Sequence, residues 1–184
     1  MKIAVVDLMK IEENSLIVKD MMKKFNAQES KLRNILEDKK KSLEEQYKNL
    51  EAKKSVLSRE SLESQVREIE KNFLDLQKEE KVYSQTLEIT KMTLLQTVQQ
   101  DVKYAVEKVA NSEEYDMIIS SSALLYLNHK KVNDITPDVI DALNNKTKTV
   151  DFDAVYKKVN SEVNDQVKKA IKNAESSNKN KSKK

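Results

Sequence analysis

Residues 66–109 read VREIEKNFLDLQKEEKVYSQTLEITKMTLLQTVQQDVKYAVEKV, and their spacing sets the architecture. Val66, Ile69, Phe73, Leu76, Glu80, Tyr83, Leu87, Thr90, Leu94 and Thr97 succeed one another at intervals of three and four. Residues so spaced share one face of an α-helix. The stripe continues through Val98, Val102, Ala105, Val106 and Val109, with no glycine or proline to break it. The spacing predicts a helix from about Leu62 to Ala110, on the order of 70 Å long at 1.5 Å per residue. Glu80, Thr90 and Thr97 are polar members, so the seam weakens partway along.

The segment before it, from about Ser15 to Leu57, is also helical in pattern. Leu36, Leu43, Leu50 and Leu57 recur every seven residues, with Lys39/Lys40, Gln46/Tyr47 and Lys53/Lys54 between them. One apolar position per heptad can cover a partner helix but cannot build a deep core. Two long helices joined by a short turn lie antiparallel. The turn is expected at Ser55–Ser61, where Ser55, Ser58, Arg59 and Ser61 break the leucine rhythm. Ser61 is the expected cap of the second helix, and Ser15 that of the first.

The flanks have a different period. Residues 2–9 carry Ile3, Ala4, Val5, Val6 and Leu8, a dense apolar run that reads as a strand. Tyr115–Ile119 and Ala123–Leu127 read as two more strands, separated by Ser120, Ser121 and Ser122. In Asp134-Ile135-Thr136-Pro137-Asp138, threonine suits an N-cap, proline the first helical position and aspartate the positive end of a helix. Val139, Ile140 and Leu143 give that short helix an apolar face. Beyond it, Phe152, Val155, Tyr156, Val159, Val163 and Val167 are spaced for one more helix, about 151–174. Residues 175–184 are rich in lysine, serine and asparagine, and disorder is predicted there. The predicted fold class is therefore mainly α with a small β body. Residues 2–14 and 112–143 form the body, 15–111 the helical hairpin arm, and 144–184 a C-terminal extension.

Composition narrows the chemistry. Charged residues make up 35% of the 184 positions, hydrophobic residues 38%, and there is no glycine, no cysteine and one proline. A phosphate-cradling loop, a dinucleotide-binding turn and a nucleophile elbow all need glycine. Without cysteine there is no thiol nucleophile, disulfide or thiolate metal site. His129, the one histidine, sits between Asn128 and Lys130 and reads as a surface turn residue. Adjacent carboxylates such as Glu12/Glu13 and Glu79/Glu80 do not face each other and read as solvated charge. The expectation is a non-enzyme with no cofactor and no metal. Net charge is +3, yet residues 144–184 alone hold eleven lysines against five acids. The rest is a slightly acidic mosaic, which argues against nucleic acid as the main ligand. The lysine-rich tail is where a weak membrane-surface contact would form. No apolar run approaches the roughly 18 residues a membrane helix needs. The first residues offer only a four-residue apolar run, too short for a signal-peptide core.

Strand, long hairpin, strands and capped short helix, in that order, resemble the Skp/OmpH family of periplasmic chaperones. Local likeness is greatest in residues 102–143: Val106-Glu107-Lys108-Val109-Ala110-Asn111-Ser112, then Tyr115-Asp116-Met117-Ile118-Ile119, Tyr126, and Asp134-Ile135-Thr136-Pro137-Asp138-Val139-Ile140. Lys2-Ile3-Ala4-Val5-Val6-Asp7 is similar to the family's first strand. The resemblance implies a homotrimer joined through a small β body. Its helical hairpins hold unfolded outer-membrane proteins in the periplasm without ATP. It places Ile3, Val5, Val6, Ile118, Ile119, Leu125 and Leu127 in the trimer body. A sheet this small is not a stable core for one chain, which points the same way. The chain departs from the family in its slightly acidic body and arms, in its tail after Asn144, and in having no arginine cluster on the arms. Lys78, Lys81 and Lys91 are scattered among acids.

Apolar residues not consumed by the seams are candidates for holding a client: Met21, Met22, Phe25, Tyr47, Met92 and Tyr104. Methionine adapts to many partners, although packing within or between hairpins is the competing use of each. Two other readings use the same features. One is a coiled-coil scaffold with one defined partner, bound as a helix in a groove. The other is a cytosolic prefoldin-like holdase.

Overall fold

The computed structural model describes residues 1–146 and 151–181. Its elements are β1 (Ile3–Val6), α1 (Leu8–Asn14), α2 (Leu16–Lys53), α3 (Arg59–Ser112), β2 (Met117–Ser120), β3 (Asn133–Asp134), α4 (Thr136–Asn144) and α5 (Phe152–Lys181). They form two compact units. The first comprises Met1–Asn26 and Lys91–Val155, the second Ala27–Thr90 and Tyr156–Lys184.

In the first unit a three-stranded parallel sheet has the order β2-β1-β3. Ile3 to Val6 pair in register with Met117 to Ser120, and Ala4 and Val5 with Asn133 and Asp134. The first strand is shorter than its apolar run suggested. Asp7 ends it, because the Asp7 carboxylate accepts from the Lys10 N–H at 3.1 Å and caps α1. Leu8 therefore starts a helix instead of ending a strand. The strand expected at Ala123–Leu127 does not form. Ser121–Ala123 make a single 3-10 turn, and the chain from Leu124 to Asn128 has no ladder partner. The third strand is instead the two-residue Asn133–Asp134, too short to announce itself by alternation.

The core of this unit gathers Ala4, Val5 and Val6 from the sheet and Ile11 from α1. Met21 and Phe25 come from α2, Leu94, Val98, Val102, Ala105 and Val109 from α3, and Val139 and Leu143 from α4. Ser15 is buried and caps α2 through the Val18 N–H at 3.4 Å. Thr136 does not serve as the cap of α4. Its N–H donates to the Asp134 carboxylate at 3.0 Å, its hydroxyl donates to the same oxygen, and that hydroxyl oxygen accepts the Asp7 N–H at 2.9 Å. One threonine thus ties the end of β1 to the start of α4. The end of α3 closes by a Tyr115 N–H to Ala110 carbonyl bond of 2.9 Å, with Glu114 at φ 54°. Helices commonly end this way on a left-handed residue, usually glycine. A chain without glycine has to use another residue there.

In the second unit the distal parts of α2 and α3 run antiparallel. Lys39 pairs with Glu79 and Lys40 with Glu80, whereas Gln46, further along α2, pairs with Asn72, further back on α3. The turn lies at Lys54–Ser58, and Ser58 rather than Ser61 caps α3, its Oγ accepting the Ser61 N–H at 3.2 Å. Leu32, Leu50, Leu76, Val82, Thr86 and Thr90 are buried, and α5 adds Val159 and Val163. Val82 and Thr86 lie off the stripe read from the sequence. α5 is the cause: Thr86 Oγ1 meets Asn160 Oδ1 at 3.5 Å, so α3 has a second covered face there. α5 runs to Lys181, past the predicted stop near residue 174. No proline or glycine stands in its way, and extending an existing helix costs little. The last three residues of the expected disordered tail, 182–184, lie outside the described residues.

Candidate functional site

Large apolar side chains that no neighbour covers mark surfaces built to be covered by something else. In the second unit they cluster on the distal hairpin. The thin seam of α2 leaves Leu43 only half-buried and Tyr47 57% exposed. Across from them on α3, Phe73 is 50% exposed and Leu74 is exposed beside it. Phe73 and Leu74 are about 100° apart around the helix, so both cannot enter one two-helix seam. Leu43, Tyr47, Ile69, Phe73 and Leu76 line a groove of about 590 Å³. Its rim is charged: Lys40, Glu44, Lys48, Glu70 and Glu80. The groove is apolar at the floor and polar at the edge, with room for several apolar side chains.

The first unit has a second set. Leu125 is fully exposed and Tyr126 nearly so, in the stretch without ladder partners. Met117 on the edge strand β2 is exposed, and Ile3, Ile118, Ile119 and Leu127 are half-buried. A groove of about 520 Å³ lies close by, lined by Val6, Leu8, Val98, Val102, Val106 and Ile118.

The residues singled out from sequence therefore separate. Of the body positions, Val5 (1% exposed) and Val6 are covered by their own chain, whereas Ile3, Ile118, Ile119, Leu125 and Leu127 keep surface to offer. Of the client candidates, Met21 and Phe25 are core residues of the first unit, and Met22 is half-buried. Tyr47, Met92 and Tyr104 are exposed. Leu74 and Tyr126 were missed as surface. Leu74 stands off the stripe of 69, 73 and 76, which was the signal available in the sequence.

Electrostatics are those of a solvated surface. Asp20 raises the pKa of Lys24, first through a hydrogen bond. The hydrogen-bonded pair Glu37–Lys41 holds its acid below and its base above their ordinary values. Burial pushes the Tyr156 hydroxyl up, against the hydrogen bond it shares with Gln28. Among the described residues no group of histidine, aspartate and glutamate could hold a metal ion, and no helix is long and apolar enough to cross a membrane.

The described residues combine a long helical hairpin and a small parallel sheet with uncovered apolar side chains, a helical-hairpin protein on a small β body. The family model of OmpH-like outer membrane proteins matches residues 2–143, and the chain belongs to that family. Among solved structures, the chain is similar to a crystal structure from Caulobacter crescentus CB15, of a protein described as a candidate outer membrane chaperone (OmpH-like). The TM-score is 0.73 at 20% identity, covering 80% of this chain and 86% of that one, a likeness of fold. Among curated proteins none matches.

Proposed function

We propose that this chain is an ATP-independent holdase that binds unfolded outer-membrane proteins between the helical arms of a homotrimer in the periplasm. The observation that carries the reading is the distal groove, where Tyr47 and Phe73 stand half in solvent between charged rims. Membership of the OmpH-like family and the description of the Caulobacter protein support it. An unfolded membrane β-strand presents an apolar group at every second position over a long stretch. Several shallow apolar grooves suit that ligand better than one deep pocket, because weak contacts on linked arms add by avidity. Subunits meet through Ile3, Ile118, Ile119, Leu125 and Leu127, which keep apolar surface in a single chain.

The test is light scattering after dilution of a denatured β-barrel protein, with and without one trimer per client. Scattering is expected to be suppressed in a fixed ratio, equally with and without nucleotide, and to stay suppressed at moderate salt. Aggregation that proceeds unchanged at several-fold excess of trimer sinks the holdase reading in favour of a scaffold with one defined partner.

A further inference from the structure

We propose that α5 is a built-in competitor of the client, a detachable third helix on the distal hairpin that must lift away before an apolar client segment can take its place. The inference rests on the holdase reading and adds a control element to it.

α5 begins at Phe152, beyond residue 143 where the family match ends, so it lies outside the matched hairpin and body. It lies along the hairpin: Tyr156 shares a hydrogen bond with Gln28 of α2, and Asn160 meets Thr86 of α3. Val159 and Val163 are buried one turn apart, so α5 presents to the arm what a client would, two apolar side chains beside a polar one. Its hold is shallow. After Val163, Val167 and Ile171 are half-buried, and none of the described side chains is buried.

Thr86 and Thr90 of α3 are both 0% exposed and sit one turn apart on the same face. The Thr86 hydroxyl reaches Asn160 only at 3.5 Å, and Thr90 Oγ1 has no hydrogen-bond partner among the described residues. A hydroxyl buried without a partner is a standing cost that packing must offset. A permanently closed three-helix core is best served by valine or leucine at both positions, as at Val82 and Leu94 on the same helix. Threonine suits a face that alternates between protein and water, because each opening rehydrates its hydroxyl. The pattern is that of a contact poised to open, with α5 covering apolar surface that becomes available once it leaves.

The absence of cysteine makes a clean test possible. Thr86→Cys with Asn160→Cys introduces the only two thiols, and oxidation locks α5 onto α3. In the light-scattering assay with a denatured β-barrel protein, the oxidised form is expected to need at least ten-fold more protein for half suppression than the same chain reduced. The reduced form should match the wild type. A truncation ending at Asn145 should bind the same client several-fold more tightly while keeping its helical circular dichroism. In the free wild-type protein, amides of 156–171 should exchange at least a hundred-fold faster than those of the distal part of α3. Equal suppression by locked and unlocked forms overturns the proposal, and so does a folded truncation that binds no better. If the wild type itself leaves aggregation unchanged, the holdase reading has failed and the competitor falls with it. That outcome is distinct from a working holdase indifferent to the lock.

Discussion

Asp134 joins β3 to α4 and accepts the Thr136 N–H at 3.0 Å as well as the Thr136 hydroxyl. Local burial pushes its carboxyl up. The two bonds from Thr136, with Lys10 and His129 nearby, outweigh that and hold it below the ordinary value. A carboxyl whose pKa is lowered on folding adds stability above its unfolded value, about 3.9. That stability is lost as pH falls through the folded value. Asp134→Asn keeps an accepting oxygen and removes the charge, so it should cost about 1 kcal/mol at pH 7, in the range of a lost helix-terminal bond. The gap from wild type should shrink below about pH 4, where the wild-type carboxyl also protonates. Urea unfolding at pH 7 and pH 3 reads both numbers, and a gap that stays constant between them means the charge plays no part. The sequence pattern makes Thr136 the cap, yet Thr136 donates to Asp134 instead, because which oxygen faces which N–H depends on where Asp7 of β1 arrives, and periodicity carries no such information.

At the scale of elements, the long helices were legible because thirty or more residues without a breaker leave little choice of backbone. Their covered faces were not. The stripe read along α3 assumes one partner, and α5 supplies a second where Asn160 meets Thr86, so Val82 and Thr86 off the stripe are buried as well. Met21 and Phe25 looked surplus to a seam because the sheet and α4 that complete their core are distant in sequence. Burial now orders three substitutions on α3. Leu76, 7% exposed, should cost about 2–3 kcal/mol when cut to alanine, as a buried leucine does. Leu87, half-buried, should cost about 1 kcal/mol, and Phe73 about 1 kcal/mol or less, since little of what it buries is lost. Client binding should follow the opposite order, with Phe73→Ala weakening it most and Leu76→Ala least per unit of stability. Hydrogen exchange should rise around Leu43–Leu50 in Leu76→Ala, where the facing helix loses its support. Exchange that quickens on α3 alone contradicts the pairing of the distal helices.

For the whole molecule the question is which apolar surface belongs inside one chain and which belongs between chains. Ala4, Val5 and Val6 are closed off by their own unit. The sheet they belong to is only three short strands, and its edge strand β2 is exposed at Met117, with Leu125 and Tyr126 uncovered a few residues on. Open strand edges and fully exposed leucines are liabilities that a soluble protein covers, and a second copy of the chain is the cover the trimer reading supplies. Two aspartate substitutions separate the two kinds of surface. Val5→Asp puts a charge where no water reaches, and a buried unpaired charge is costly enough to unfold the body. Leu125→Asp touches nothing in its own chain, so the subunit should keep its helical circular dichroism and its thermal transition at high dilution. In the proposed trimer the same aspartate would enter an apolar contact, and the assembly should fall to monomers. Sedimentation velocity beside circular dichroism reads both states. Leu125→Asp that stays trimeric removes this stretch from the interface. If it unfolds the chain as Val5→Asp does, then Leu125 packs against its own subunit in solution and belongs to the inner surface, not the shared one.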